Sequence, residues 1–460
     1  MISGFRAVVC LLCVTAGNLA VISGCGGNPK SDYPHVVLVI VDTLRADRLG
    51  CYGFDRATSP ELDALAARGT RFAHAISQSP WTRPSIGSML TSIYPRSLGI
   101  YNEQSGVLND RFETLAEILR DHGYRTYGAT ANPHMNRSFN FQQGFDEYLD
   151  STSVWHWMAP DDGHSPSAIP TLASARQMFE VVLGWLDRED KRTARAPHYL
   201  QFNLMEVHET WSEYDLVRPE FQTEFTDVKY EKHRRYLQAV RQVSHDLNWL
   251  VDTLAKRSEW NDVVYVIVSD HGEGLDSHPH IPESDFHGTL LYESHLRVPL
   301  ILFSSGDRIP QGLVIDQPVR LLEVVPTLLE IAGIAPARKT QGRSVVPLLH
   351  RTGEVALPEA FVVETEYWDS NKIGAYTEEW KMILNLDDQP GARRQELQRI
   401  GIEENGVRTD VGRKEFDELQ RLIKFVRRWE SQYPRVPPTL PGKDLPEEVV
   451  EQLRALGYVH

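Results

Sequence analysis

From residue 35 onward, short and almost wholly apolar runs alternate with longer segments whose apolar residues recur every three to four positions. The first run, Val36 to Val41, is six mostly β-branched residues with no polar face. Such a run predicts a strand covered on both sides, as in a parallel sheet between helices. His198–Met205 and Val263–Ser269 read the same way, and Thr126–Thr130 and Val298–Phe303 read as further strands. Between them, helical periodicity spans Phe112–His122, stopped by Gly123, then about 172–187, Tyr230–Lys256 and Leu321–Ala332, stopped by Gly333. Ser59-Pro60-Glu61 opens another helix, with Ser as cap and Pro in the first turn. Alternation of this kind predicts an α/β domain built on a large, mostly parallel sheet. The pattern dissolves between Asn132 and Pro170 into a long irregular excursion, typical of an active-site surround.

After residue 350 the character changes. Ala360–Glu366 and Lys381–Leu386 read as strands of a smaller sheet, Phe416–Trp429 as a charged amphipathic helix, and Pro446 starts a terminal helix. The expected organisation is a catalytic domain over 35–350 and a C-terminal α+β subdomain over 351–460 that edges the cleft.

Composition narrows the function classes. With 460 residues, 41% hydrophobic and 24% charged, the chain suits a large globular domain plus a small one. A formal net charge of −15 and no basic stripe argue against nucleic acid as a partner. Residues 1–24 stand apart: Arg6 is the only charge, and the apolar stretch from Ala7 to Ile22 has the length of a signal-peptide core. It ends Ile22-Ser23-Gly24-Cys25, which resembles a bacterial lipoprotein box with Cys25 as the lipidated residue. Residues 25–34 would be the tether. Removal of Cys10 and Cys13 with the signal leaves Cys51 as the only other cysteine, so no internal disulfide is expected. The expected location is an exported lipoprotein, membrane-anchored on the periplasmic or outer face.

The chemistry gathers where the apolar runs end. The first run closes on Asp42, with Arg45 three residues on, and the run from Val263 closes on Asp270-His271-Gly272-Glu273. Ligands of open α/β sheets sit beyond the carboxyl ends of the strands, and carboxylate plus imidazole suits a divalent cation. Gly272 lets the backbone turn sharply beside them. Thr82, ahead of Pro84, stands where a helix N-terminus favours an anion, although alone it reads as a cap. His208 follows the strand from His198, and His278, His280 and His287 follow Asp270 in a loop.

Taken together, VLVIVDTLRADRLGCYG, the T-x-P-S segment at Thr82, VSDHGE, FHGTLLYESHLRVPLILF, QGRSVVPLL and LRALGYV resemble the sulfatase family of the alkaline phosphatase superfamily. The resemblance runs from about His35 to His350. It implies a large mixed sheet between helices with a divalent ion, of Ca, Mn, Mg or Zn, at the strand ends. It further implies Asp42, Thr82, Asp270 and His271 as metal ligands and Thr82 as nucleophile. His208 and His287 fall on positions that bind or protonate the transferred ester, with Arg45 near enough to contact an anion. The implied partner is an anionic ester on a glycan, lipid head group or small molecule.

Two departures bear on the reaction. Sulfatases of the C/S-x-P-x-R motif convert Cys or Ser to formylglycine, whereas this chain has Thr82-Arg83-Pro84-Ser85-Ile86, with Ile in the place of the arginine. Sulfatases also carry two adjacent carboxylates after the first strand, where this chain has Asp42-Thr43. The set Asp, Thr, Asp, His resembles instead the threonine-using phosphodiesterases and phosphoglycerol or phosphoethanolamine transferases of that superfamily. The expected function is metal-dependent hydrolysis or transfer of phosphate or sulfate esters, with phosphate favoured. A formylglycine-independent sulfuric ester hydrolase and an inactive binder of anionic glycan or lipid head groups are the alternatives.

Overall fold

The structure is a computed structural model that describes residues 33–102, 106–153, 173–189, 196–208, 216–275, 286–335, 340–351, 355–356, 358–387, 394–400, 410–440 and 445–455. Cys25, His278 and His280 lie outside these residues.

Eight strands form the main sheet: β1 (His35–Val41), β2 (Gly69–Phe72), β3 (Arg125–Thr130), β4 (Glu147–Leu149), β5 (His198–Leu204), β6 (Val263–Val268), β7 (Leu300–Ser304) and β8 (Leu313–Ile315). Their order is β8-β2-β7-β6-β1-β5-β3-β4. Only β7 runs against its neighbours β6 and β2, so the sheet is mixed but mostly parallel. The longer helices are α1 (Pro60–Ala67), α2 (Thr82–Thr91), α3 (Leu115–Asp121), α4 (Ala175–Asp187), α5 (Glu231–Ala255) and α6 (Val324–Ile331).

The unbroken apolar run of β1 has a direct cause. Val37, Val39 and Val41 face a core shared with Phe179 and Val182 of α4 and Leu247 and Leu250 of α5. Val36, Leu38 and Ile40 face the opposite core, with Ile86 and Met89 of α2 and Leu328 of α6. Each such side chain contributes about 1.5–3 kcal/mol on burial, so a polar residue at any of these positions is strongly disfavoured.

A smaller antiparallel sheet follows, in the order β9 (Phe361–Tyr367), β10 (Ser370–Tyr376), β11 (Trp380–Asn385) and β12 (Gln395–Arg399). One face packs on α7 (Phe416–Gln432) through Leu419, Leu422, Val426 and Trp429. The other face packs through Phe361, Val363 and Tyr376 on Leu290, Leu291 and Leu296. The buried pair Arg96–Glu364 (3.0 Å) fastens this sheet to the large unit. The terminal helix α8 (Glu447–Ala455) returns to the large core, where Val449 and Leu453 pack and Gln452 accepts from Ser151 Oγ at 2.7 Å.

Three local readings change. Thr82 is the first residue of α2 rather than its cap, a position taken by Trp81. Ser59 does not cap α1, because its hydroxyl is engaged by Asp63 and by the N–H of Gly50. β10 and β12 were not expected, since SNKIGAY and QELQR have too few apolar residues to announce a strand.

Candidate metal and active site

Register brings the chemistry together. Central strand β1 pairs with β6, Ile40 opposite Val268, and with β5, Val41 opposite Leu204. Asp42 and Asp270 therefore leave the sheet at the same height, and His208 follows the neighbouring strand by four residues. Thr82 arrives from α2, whose Ser85 hydroxyl donates to the Asp270 carbonyl at 2.6 Å.

One atom lies at the middle of the cluster. His271 Nε2 is 3.3 Å from Thr82 Oγ1, 3.4 Å from Asp270 Oδ2 and 3.7 Å from Asp42 Oδ1. His271 Nδ1 meets the Gly272 carbonyl at 2.9 Å and must donate there, which leaves the lone pair on Nε2. Burial and the neighbouring His287 push the imidazole pKa down to about 3, so it is neutral. All four residues are buried.

The donor set fits a divalent cation. Asp42 Oδ1 and Asp270 Oδ2 are buried with no hydrogen-bond partner, and both belong to the Asp42, Asp270, His271 group whose ligand atoms lie within 4.8 Å of one another. Each carboxylate is steered by its second oxygen. Asn132 Nδ2 donates to Asp42 Oδ2 at 2.6 Å, and the N–H groups of His271 and Thr43 donate to Asp270 Oδ1 at 2.9 and 3.4 Å. Burial, and for Asp42 the nearby Asp270, raises both carboxyls to about 6.

That shift has a sign. In the metal-free protein these carboxyls hold protons more tightly folded than unfolded, so their contribution to stability is lost as pH rises from about 4 to about 6. A cation takes only the ionised pair and offsets the loss. Metal addition should therefore raise the melting temperature more at about pH 7.5 than at about pH 5. Scanning calorimetry with and without Mn²⁺ reads this, and equal increments at both values would contradict it.

Several participants were not legible in the sequence. Asn132 reads as an Asn-Pro turn, yet it fixes the orientation of Asp42 while its Oδ1 accepts from the His134 N–H at 2.8 Å. His134 is buried against the edge of Trp81, and burial together with Arg83 drives its pKa well below the usual value. Thr43 is a β-branched residue at φ 57°, a conformation that costs on the order of 1–3 kcal/mol. Tyr236 of α5 holds it there, its hydroxyl donating to the Thr43 carbonyl and accepting from the Arg45 N–H, both at 2.8 Å.

The remaining candidates divide. The His287 ring lies 4.7 Å from that of His271, tilted by 34°, and 4.9 Å from that of His208, edge to face, and its Nδ1 is 3.3 Å from Glu273 Oε2. Burial alone would raise the Glu273 carboxyl, but His287 holds it well below its usual range. Arg45 binds Asp47 through two nitrogens and the carbonyls of Glu273 and Gly274 at 3.0 Å, so its charge supports the loop carrying Glu273. Gly272 is required by a close approach rather than by a turn, because a Cβ there would lie 2.0 Å from the Ser294 carbonyl oxygen.

The profile of the sulfatase family matches residues 34–334, most of the chain. The chain belongs to the sulfatase family. The profile of the C-terminal part of N-sulphoglucosamine sulphohydrolase matches residues 284–421, from the His287 segment into α7. An arylsulfatase of Clostridium perfringens is 22% identical over 384 residues, covering 69% of this chain and 78% of its own. The N-acetylgalactosamine-6-sulfatase of Canis lupus familiaris is 25% identical over 383 residues, covering 74% and 69%. The fold is shared with a protein solved in complex with D-glucosamine-2-N,6-O-disulfate (TM-score 0.70, 18% identity, 90% and 100% covered). A phosphonate monoester hydrolase from Silicibacter pomeroyi shares it too (TM-score 0.66, 17% identity, 88% and 96% covered). This sulfatase-family protein is an ester hydrolase of the sulfuric and phosphoric ester class, in a family that generally binds a divalent metal.

Proposed function

We propose that this sulfatase-family protein transfers phosphoryl groups from phosphate esters through Thr82, and prefers them over sulfate esters. The fold does not decide between the two, since it is shared by proteins named for sulfated sugars and for phosphonate monoesters. The observation that carries the reading is Thr82 itself, its hydroxyl 3.3 Å from His271 Nε2 at the first residue of α2. Asp42, Asp270, His271 and Thr82 would hold a divalent cation, whose Lewis-acid charge favours the ionised Thr82 hydroxyl.

Thr82 Oγ1 attacks phosphorus as the bond to the leaving oxygen breaks, and His287 or His208 donates the proton that the departing alcohol takes. Glu273 supports that role by stabilising the protonated imidazole of His287. α2 adds the N–H groups of Thr82 and Arg83, since Trp81 offers no side-chain cap to its first turn. The phosphothreonine is then released by attack of water, or of a second alcohol, at phosphorus, with the histidine taking back a proton.

Residue 82 explains the preference. A formylglycine hydrate expels sulfate with its second hydroxyl, and threonine has only one. A sulfated Thr82 would be released only by attack at sulfur, whereas a phosphothreonine is open to in-line attack. Aryl phosphate monoesters, diesters and sulfates compared with Zn²⁺, Mn²⁺, Mg²⁺ and Ca²⁺ should show at least about a tenfold advantage in kcat/KM for a phosphate ester, about 1.4 kcal/mol. Rapid hydrolysis of aryl sulfates with phosphate esters untouched would overturn the preference.

We also propose that Cys25 carries lipid and anchors the exported protein. Multiple acyl chains bind membranes stably where one does not. Mature protein should partition into detergent, and Cys25→Ser should release it or leave it unprocessed. An unmodified wild-type N-terminus in mass spectrometry would refute this.

A further inference from the structure

Each of the two carboxylates at the strand ends presents one oxygen to the middle of the cluster and has its other oxygen taken. Asp42 Oδ2 accepts from Asn132 Nδ2 at 2.6 Å, and Asp270 Oδ1 accepts from the N–H groups of His271 and Thr43. Asp42 Oδ1 and Asp270 Oδ2 have no hydrogen-bond partner among the described residues. At Asp270 this division is made by the backbone of the turn. At Asp42 it depends on one side chain, contributed from 90 residues away.

Asn132 is set in one orientation. Its Oδ1 accepts from the His134 N–H at 2.8 Å, a group that can only donate, so the amide nitrogen must be the atom that faces Asp42. The Asn132 N–H donates to Thr130 Oγ1 at 3.0 Å, and that hydroxyl donates to Asn203 Oδ1 at 3.2 Å, across the paired residues Thr130 and Asn203 of β3 and β5. Asn132, Thr130 and Asn203 are all buried. Asp42 is also held at its backbone, where its N–H donates to the Leu204 carbonyl of β5 at 2.9 Å. Rotation of the carboxylate about its last bond is the freedom that remains, and the Asn132 amide closes it.

The donors left open have a chemical bias. One oxygen from each carboxylate, the Thr82 hydroxyl and His271 Nε2 make a short, mixed set. Ca²⁺ takes about six to eight oxygen ligands and gains from carboxylates that use both oxygens. Imidazole suits transition ions instead. A carboxylate whose second oxygen accepts a short hydrogen bond from a fixed amide serves as a one-oxygen ligand.

We propose that Asn132 is a specificity residue for the ion: by holding Asp42 Oδ2 it keeps Asp42 a one-oxygen ligand and turns the site toward a transition ion such as Mn²⁺ and away from Ca²⁺. This rests on the reading that Asp42, Thr82, Asp270 and His271 hold the cation. The test is isothermal titration calorimetry of metal-free wild type, Asn132→Ala and Asn132→Asp with Mn²⁺ and with Ca²⁺, with melting temperatures to show that each variant is folded. Asn132→Asp keeps an acceptor for the His134 N–H but, as a carboxylate, has no proton to give Asp42. It therefore separates support of the 133–135 turn from control of Asp42, and either variant carries the comparison alone if the other does not fold. Wild type should bind Mn²⁺ at least about tenfold more tightly than Ca²⁺. Both variants should bind Mn²⁺ about 10- to 100-fold more weakly and lose less for Ca²⁺, so that the preference falls at least about fivefold. Parallel losses for the two ions, with the ratio unchanged, would overturn the proposal, because a merely structural role weakens both alike. A wild type that prefers Ca²⁺ would overturn it too. Failure of the cation reading has a different signature, a wild type that binds neither ion or an Asp270→Asn variant that binds both as wild type does, and would take the proposal with it.

Discussion

Thr82→Ala is expected to lower kcat for phosphate esters by about 10⁴-fold or more, about 5.5 kcal/mol of transition-state stabilisation. The substitution removes the hydroxyl and the γ-methyl from a buried helix start and leaves the backbone of α2 intact. Little of the loss can then be assigned to folding, and circular dichroism with the melting temperature checks this. Thr82→Ser is the matched control, because it keeps the hydroxyl and loses only the methyl group. It should stay within about tenfold of wild type. Equal collapse of both variants would point to packing around Trp81 and α2 rather than to a nucleophile. Thr82→Cys should not restore a formylglycine route, because Ile86 occupies the place of the maturation arginine.

The second large effect concerns Asp270. Its Oδ1 accepts from the N–H groups of His271 and Thr43, and its Oδ2 is the atom without a partner. Asp270→Asn can keep the first two contacts through its amide oxygen, while its NH₂ group stands where Oδ2 was. The variant therefore keeps the shape of the turn and loses both the charge and the cation-facing lone pairs. Metal affinity and activity should fall together, each by about 100-fold or more. Because removal of a buried charge beside Asp42 also relieves repulsion, the metal-free variant should melt no lower than metal-free wild type. Full metal content by elemental analysis would remove Asp270 from the ligand set.

What was legible in the sequence follows from what each residue answers to. β1 and β6 are covered on both faces, so they are apolar throughout, and an Asp ending such a run stands out. Their partnership then follows from parallel pairing, which sets Asp42 and Asp270 at one height. Asn132, His134 and Tyr236 carried no comparable signal. Each acts through a contact more than 80 residues away or through a ring packed against another element, and each sits in a locally ordinary sequence. The positive φ of Thr43 is likewise imposed by Tyr236 and the Asp270 turn, against the preference of threonine itself. Arg45 was legible as close to the site but not in direction, because Asp47, two residues away, claims its guanidinium. The C-terminal strands β10 and β12 escaped notice because their half-polar sequences have too little apolar periodicity to read.

Thr82 as the group that takes the phosphoryl is the central claim, and trapping the covalent form tests it most directly. Wild-type protein loaded with Mn²⁺ or Zn²⁺ would be mixed with a fast-leaving aryl phosphate ester, quenched in acid within the first turnovers, digested and analysed by tandem mass spectrometry. The expected result is a phosphoryl group on Thr82, present with substrate, absent in Thr82→Ala and lost on a longer chase. Steady turnover with Thr82 unmodified at every quench time, or with the phosphoryl group on a histidine instead, would contradict it.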